Sequence, residues 1–128
     1  MSIAKTYLTI VLFVICSFSV YSKSDDEHSK AVYLVAQISV KDYQEYMNRY
    51  GKPVTQLLID AGAEILVASR KGEILEGEWS GNWTVITKFP SNQAAMNWYN
   101  SKEYRLFKTI REDELMNSGN IIILPSIN

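Results

Sequence analysis

The spacing of apolar residues changes from segment to segment along this chain, and each spacing predicts an element. "AVYLVAQISV", residues 31–40, is rich in β-branched and aromatic residues and reads as a strand. Val32, Leu34, Ala36 and Ile38 share one face, while Tyr33 and Val35 sit on the other, so both faces look at least partly buried. Asp42 then offers a helix cap, and Glu45 three positions on completes a capping-box pattern. Tyr43, Tyr46, Met47, Tyr50, Val54, Leu57, Leu58 and Ala61 follow at helical spacing. Gly51 and Pro53 interrupt that stripe and predict a kink within one helix, which Gly62 is placed to stop.

Glu64–Arg70 reads as a second strand, followed by the turn-rich stretch "RKGEILEGEWSGN". Asn82–Phe89 is the third strand; Pro90 ends it and Ser91 can cap the next helix. Ala94, Ala95, Trp98 and Tyr99 form one helical stripe. Continued in phase, that stripe would bury Lys102, but the apolar pattern restarts with Tyr104, Phe107 and Ile110. A break at Asn100–Ser101 is therefore predicted, with Ser101 capping a further helix. "NSGN", residues 117–120, reads as a turn before a last strand at Ile121–Leu124, which Pro125 ends.

The order β-α-β-β-α-β is the α+β, ferredoxin-like plan: an antiparallel sheet with its helices on one face. Such a sheet should be polar at alternate positions if its other face is wet. Here Val85 and Phe89 alternate with Ile86, and Ile121 and Ile123 with Ile122 and Leu124, so both parities are apolar. Something must cover the second face, and in so short a chain a second copy is the simplest candidate.

The N-terminus adds a compartment. Lys5 is the only charge before an apolar run at Tyr7–Val20, and Val20 and Ser22 suit the small-residue positions of a cleavage site. Residues 1–22 are thus expected to be a secretory signal peptide cut after Ser22. The run is shorter than the roughly 20 apolar residues of a spanning helix. A lipidated Cys16 is disfavoured because Ile15 stands where a small residue is wanted. The mature protein would be secreted or periplasmic and free of the membrane. Residues 23–30 would form a short flexible lead, and residues 31–128 the domain. Cys16, the single cysteine, would leave with the leader and take thiolate and cysteine-ligand chemistry with it.

With 13 Lys+Arg against 14 Asp+Glu the chain has no basic excess, and no basic patch stands out, so nucleic acid is not an expected partner.

Several motifs together resemble a known family. "LEGEW" at Leu75–Trp79, "FPSNQAAMNWYNSKEY" at Phe89–Tyr104, the pair Tyr43 and Tyr46, Pro53 and "GAEILVASR" at Gly62–Arg70 are similar to signatures of the DUF1330 family, a domain of unknown function within the dimeric α/β-barrel group. The resemblance runs from about Tyr33 to Leu124. It implies a ferredoxin-like protomer and a face-to-face homodimer, and it implies no activity. Two features depart from the family pattern: the leader, and the polar stretch "REDELMNSGN" before the last strand.

The chemistry available is narrow. His28, the only histidine, lies in the lead segment and reads as a solvated linker residue, so the domain itself has neither His nor Cys. Serine and cysteine triads lose their usual base, and zinc and haem their usual ligands. No EF-hand spacing and no Gly-rich loop opening a helix is present, so no metal and no cofactor is expected. Glu76 and Glu78 flank Gly77; they would act as a general base only if burial over a pocket mouth raised a pKa, and otherwise are exposed turn carboxylates. Asp42 is a cap rather than an acid.

What remains is aromatic. Most of the rings should be core. Tyr46, Trp98 and Tyr104 fall on helices facing the sheet, and Trp79 on the connection between strands two and three. These four are the candidates to line a cleft for a small apolar or aromatic molecule between sheet and helices, Trp98 and Tyr104 first among them. Two other readings stay open: a cofactor-independent enzyme of isomerase or monooxygenase type, and a structural or interaction protein with no ligand. A cavity near Trp98 with a buried carboxylate would favour the enzyme; a dry, filled interior would favour the structural protein.

Overall fold

The structure, a computed structural model, describes residues 30–127. The leader and most of the lead segment, with Cys16 and His28, lie outside the described residues.

Strand β1 (Val32–Val40) buries every second residue, and Val32, Leu34, Ala36, Ile38 and Val40 form the floor of the core. Asp42 caps the following helix by accepting from the Glu45 amide at 2.7 Å. The reciprocal half of the box is not made, because the Glu45 carboxylate pairs with Arg49 instead. Helix α1 (Tyr43–Tyr46) runs without a break through a π-helical turn (Met47–Gly51) into α2 (Lys52–Asp60). The expected irregularity is therefore a widened turn. It ends two residues before Pro53, whose ring and missing amide hydrogen disfavour a regular turn in front of it. Gly62, at φ +78°, closes α2: Ala63 N–H donates to Leu58 O and Gly62 N–H to Ile59 O, the paired bonds of a Schellman stop.

Strands β2 (Glu64–Ser69) and β3 (Trp83–Phe89) follow, then α3 (Asn92–Tyr99), capped by Ser91. The predicted break falls at Ser101. Its hydroxyl accepts from Tyr104 N–H to cap α4 (Lys102–Ile110) and donates to Trp98 O at the end of α3. A second π-helical turn (Arg111–Leu115) then leads into β4 (Met116–Pro125). The sheet order is β2-β3-β1-β4 with every pairing antiparallel, the ferredoxin-like arrangement. Among the described residues, no helix is long and apolar enough to cross a membrane.

One expectation is corrected. β4 begins at Met116, so the apparent turn "NSGN" is strand, paired along Gln37–Ser39 with a register shift between Ser39 and Val40. Gly119 permits this by close approach: a Cβ there would stand 2.8 Å from Ile38 Cδ1. The glycine thus serves packing rather than a reversal of the chain.

Helices cover the face of Leu34, Thr87 and Phe89. On the opposite face, the register aligns Val67, Ile86, Val35 and Ile122 in one apolar row across all four strands. The outer members of that row, Val67 and Ile122, are exposed.

Candidate functional site

Between the sheet and the helices lies a cavity of about 120 Å³. Its lining residues that are not buried are Met47, Gly51 and Thr55 from the first helix, Ile65 and Ala68 from β2, Val85 from β3 and Ile121 from β4. Its buried lining includes Thr87 from β3, Trp98 from α3, Tyr104 from α4, and Tyr50 and Arg111. Tyr50 and Arg111 sit on the two π-helical turns. Such widened turns are rare and recur at functional sites, because the extra residue redirects a side chain.

Ring packing sets the walls. Trp98 and Tyr104 stack with centroids 4.0 Å apart, which the Ser101 link between α3 and α4 makes possible. Phe89 packs on Trp98 at 5.6 Å, and Tyr46 on Tyr50 at 5.0 Å.

The polar part centres on Arg111, which is 3% exposed. One guanidinium nitrogen donates to Tyr50 Oη at 3.0 Å and to Tyr104 Oη at 2.9 Å, and the two hydroxyls lie 3.1 Å apart. The other terminal nitrogen reaches Glu112 at 3.1 Å. That carboxylate is partly solvated, and its same oxygen also faces Lys108. Burial works against the Arg111 charge, but the acceptor hydroxyls of Tyr50 and Tyr104 hold it, and its pKa lies above the ordinary value. Burial pushes the hydroxyls of Tyr46, Tyr50 and Tyr104 well up, so all three are neutral O–H groups at physiological pH. Three buried polar atoms have no partner: Thr87 Oγ1, Trp98 Nε1 and Arg111 Nε. All three belong to residues that line the cavity.

Of the four residues expected to share a cleft, the structure brings Tyr46, Trp98 and Tyr104 together. Trp79 stands apart. Its indole N–H donates to Thr84 Oγ1 at 3.2 Å, and Thr84 pairs with Gln37 on the face turned away from the helices. The long connection folds over that face, where a side chain at residue 79 cannot reach the cavity. Glu76 and Glu78 are exposed on the same connection, and no carboxylate lines the cavity. Among the described residues no three His, Cys, Asp or Glu side chains gather as a metal site. Arg111 and Thr87 were not singled out from sequence. Arg111 hides in the charged run "REDE", though it follows Tyr104 by seven residues, two helical turns on the same face. Thr87 stands between Val85 and Phe89 in an alternation that marks it as inward-facing.

A family model described as a domain of unknown function, DUF1330, matches residues 31–126. No curated protein shows significant similarity to the chain. Among solved structures, a protein of unknown function from Rhodopseudomonas palustris is similar at TM-score 0.65 and 14% identity, covering 80% of this chain and 87% of its own. A dimeric protein of unknown function with a ferredoxin-like fold from Bacteroides fragilis gives TM-score 0.53 and 13% identity, over 77% of this chain and 99% of its own. A candidate antibiotic biosynthesis monooxygenase from Caulobacter crescentus gives 0.54 and 13%, over 80% and 96%.

Proposed function

The chain belongs to the DUF1330 family of domains of unknown function, and from that premise we propose that it is a small-molecule-binding domain. The ligand is a small apolar or aromatic molecule held between the sheet and the helices. The observation that carries this reading is the ring-lined cavity itself, which a structural protein with a filled interior would not keep. Its volume, about 120 Å³, compares with the roughly 150 Å³ of an engineered apolar cavity that takes up benzene. The space is of the order of one small ring.

An enzyme of monooxygenase type is the second reading, favoured by the fold shared with the Caulobacter crescentus protein. Fold alone is a weak warrant for activity. With neutral tyrosines and no carboxylate in the lining, the cavity offers no ready base.

The same proposal includes a homodimer joined through the apolar row of the open sheet face, and export after cleavage behind Ser22. The dimer is supported by the exposed Val67 and Ile122 and by the dimeric state given for the Bacteroides fragilis protein. Export rests on the leader sequence. An intact mass beginning at or near Lys23 in the secreted or periplasmic fraction is expected; a full-length mass held in the membrane would exclude it.

Binding is tested by thermal shift on the mature protein with a library of small monocyclic compounds, since a ligand of the native state raises apparent stability. Ala36, buried and facing the cavity from β1, provides the control. Ala36→Leu should fill the space, keep the fold and abolish the shifts. Shifts that survive in a folded Ala36→Leu protein would place binding elsewhere.

A further inference from the structure

We propose that the Arg111 side of the cavity is a donor-rich pole that selects a small organic acid, bound as its anion with the ring away from that pole. This rests on the cavity being a ligand site. The argument is a count of hydrogen-bonding capacity. Trp98 Nε1 and Arg111 Nε, both unpartnered and buried, can only donate. Thr87 Oγ1 can do either and has no partner.

The tyrosine pair adds one more donor. Tyr50 Oη and Tyr104 Oη both accept from Arg111 and share a single bond with each other. Only one of their two hydrogens is used there, and among the described residues the other has no acceptor. The lining thus carries four groups with hydrogens to give, and none of the four is a dedicated acceptor. Buried donors left unmade are costly, so a molecule that fits here must bring acceptors.

Charge decides which acceptor. The Arg111 guanidinium is 3% exposed, and its one carboxylate neighbour, Glu112, is partly solvated and shared with Lys108. A buried cation so weakly compensated favours an anion over a neutral carbonyl. A carboxylate has two oxygens and about four lone-pair sites, so one such group can accept from more than one of these donors. The rings of Trp98, Tyr104 and Tyr46 then hold an apolar body of about one ring.

The test uses benzoate, benzamide and toluene at neutral pH, which share a ring and differ in charge and acceptors. Thermal shift and calorimetry on the wild-type protein should rank benzoate above benzamide and benzamide above toluene. Arg111→Met should lose the benzoate response and keep or gain the toluene response. Trp98→Phe retains a ring without the N–H and should weaken benzoate roughly tenfold, the weight of one hydrogen bond to a charged group. This second variant decides the matter if Arg111→Met does not fold. Equal binding of toluene and benzoate, or benzoate binding unchanged in both variants, would overturn the anion pole while leaving the cavity a ligand site. Binding of none of the three would overturn both readings.

Discussion

On the helix-covered face of the sheet, Leu34 sits between Thr87 and Ile123; on the open face, one residue along β1, Val35 sits between Ile86 and Ile122. In sequence the two rows look alike, both mostly β-branched, with Thr87 the one polar member. In the molecule they differ in what they leave unsatisfied. The covered face has polar atoms without partners, beside space for a small molecule. The open face has apolar area without cover. A deficit of acceptors calls for a small polar guest, whereas a deficit of apolar contact calls for a large flat one. Burial pattern alone cannot separate these cases, because hydrophobicity measures contact and not hydrogen-bonding balance.

The sharpest way to test that contrast is truncation on the covered face. Tyr104 is fully buried, stacks on Trp98 and bonds Arg111 and Tyr50. Tyr104→Ala should cost about 3–5 kcal/mol by chemical denaturation, as large-to-small core changes do. A loss under about 1 kcal/mol would mean that the cavity wall is not part of the core.

Alkaline pH probes the same face more gently. Burial holds the protons of Tyr46 and Tyr104 far above the ordinary tyrosine range and raises Tyr50 as well. Above about pH 10 the unfolded chain loses these protons and the native one does not, so the unfolded state binds fewer. Stability is therefore intact below that pH and falls as pH rises beyond it, by roughly 1.4 kcal/mol per pH unit for each such tyrosine. Tyr46→Phe should remove one share of that slope. A slope unchanged in the variant would mean that Tyr46 ionises as readily folded as unfolded.

The smallest stability change is expected on the open face. Ile122 is half exposed, and Ile122→Asp should alter protomer stability by no more than about 0.5 kcal/mol. Its readout is mass. Light scattering should give twice the protomer mass for the wild type and a single protomer for the variant. A wild-type monomer would remove the second copy as the cover for this face.

Much of the fold was legible. Ser91, Ser101 and Gly62 announced helix ends that the structure keeps, because caps are local chemistry. Gly119 misled, since a glycine that enables close approach to Ile38 looks in sequence like one that enables a turn. The rings at Tyr46, Trp98 and Tyr104 were readable as a group because helical spacing put them on one side. Trp79 was not separable from them, as a long connection carries no periodicity to say which face of the sheet it will cover. Arg111 escaped because burying a cation is decided by distant hydroxyls: Tyr50 is sixty-one positions away and becomes its neighbour only in the fold.

The π-helical turn at Met47–Gly51 gives chain length at that point a meaning of its own. An α-helix rotates about 100° per residue. A π-helical turn spreads one extra residue over nearly the same rotation. Removing one residue there would restore a regular helix with Tyr43, Tyr46 and α2 nearly in phase, but would re-aim the turn's own Met47 and Tyr50, which line the cavity. Members of the family that lack a residue at this position should therefore have a differently shaped cavity, whatever their side chains. In comparing relatives, a one-residue gap between Tyr46 and Lys52 is a stronger sign of altered ligand choice than any single replacement inside the pocket.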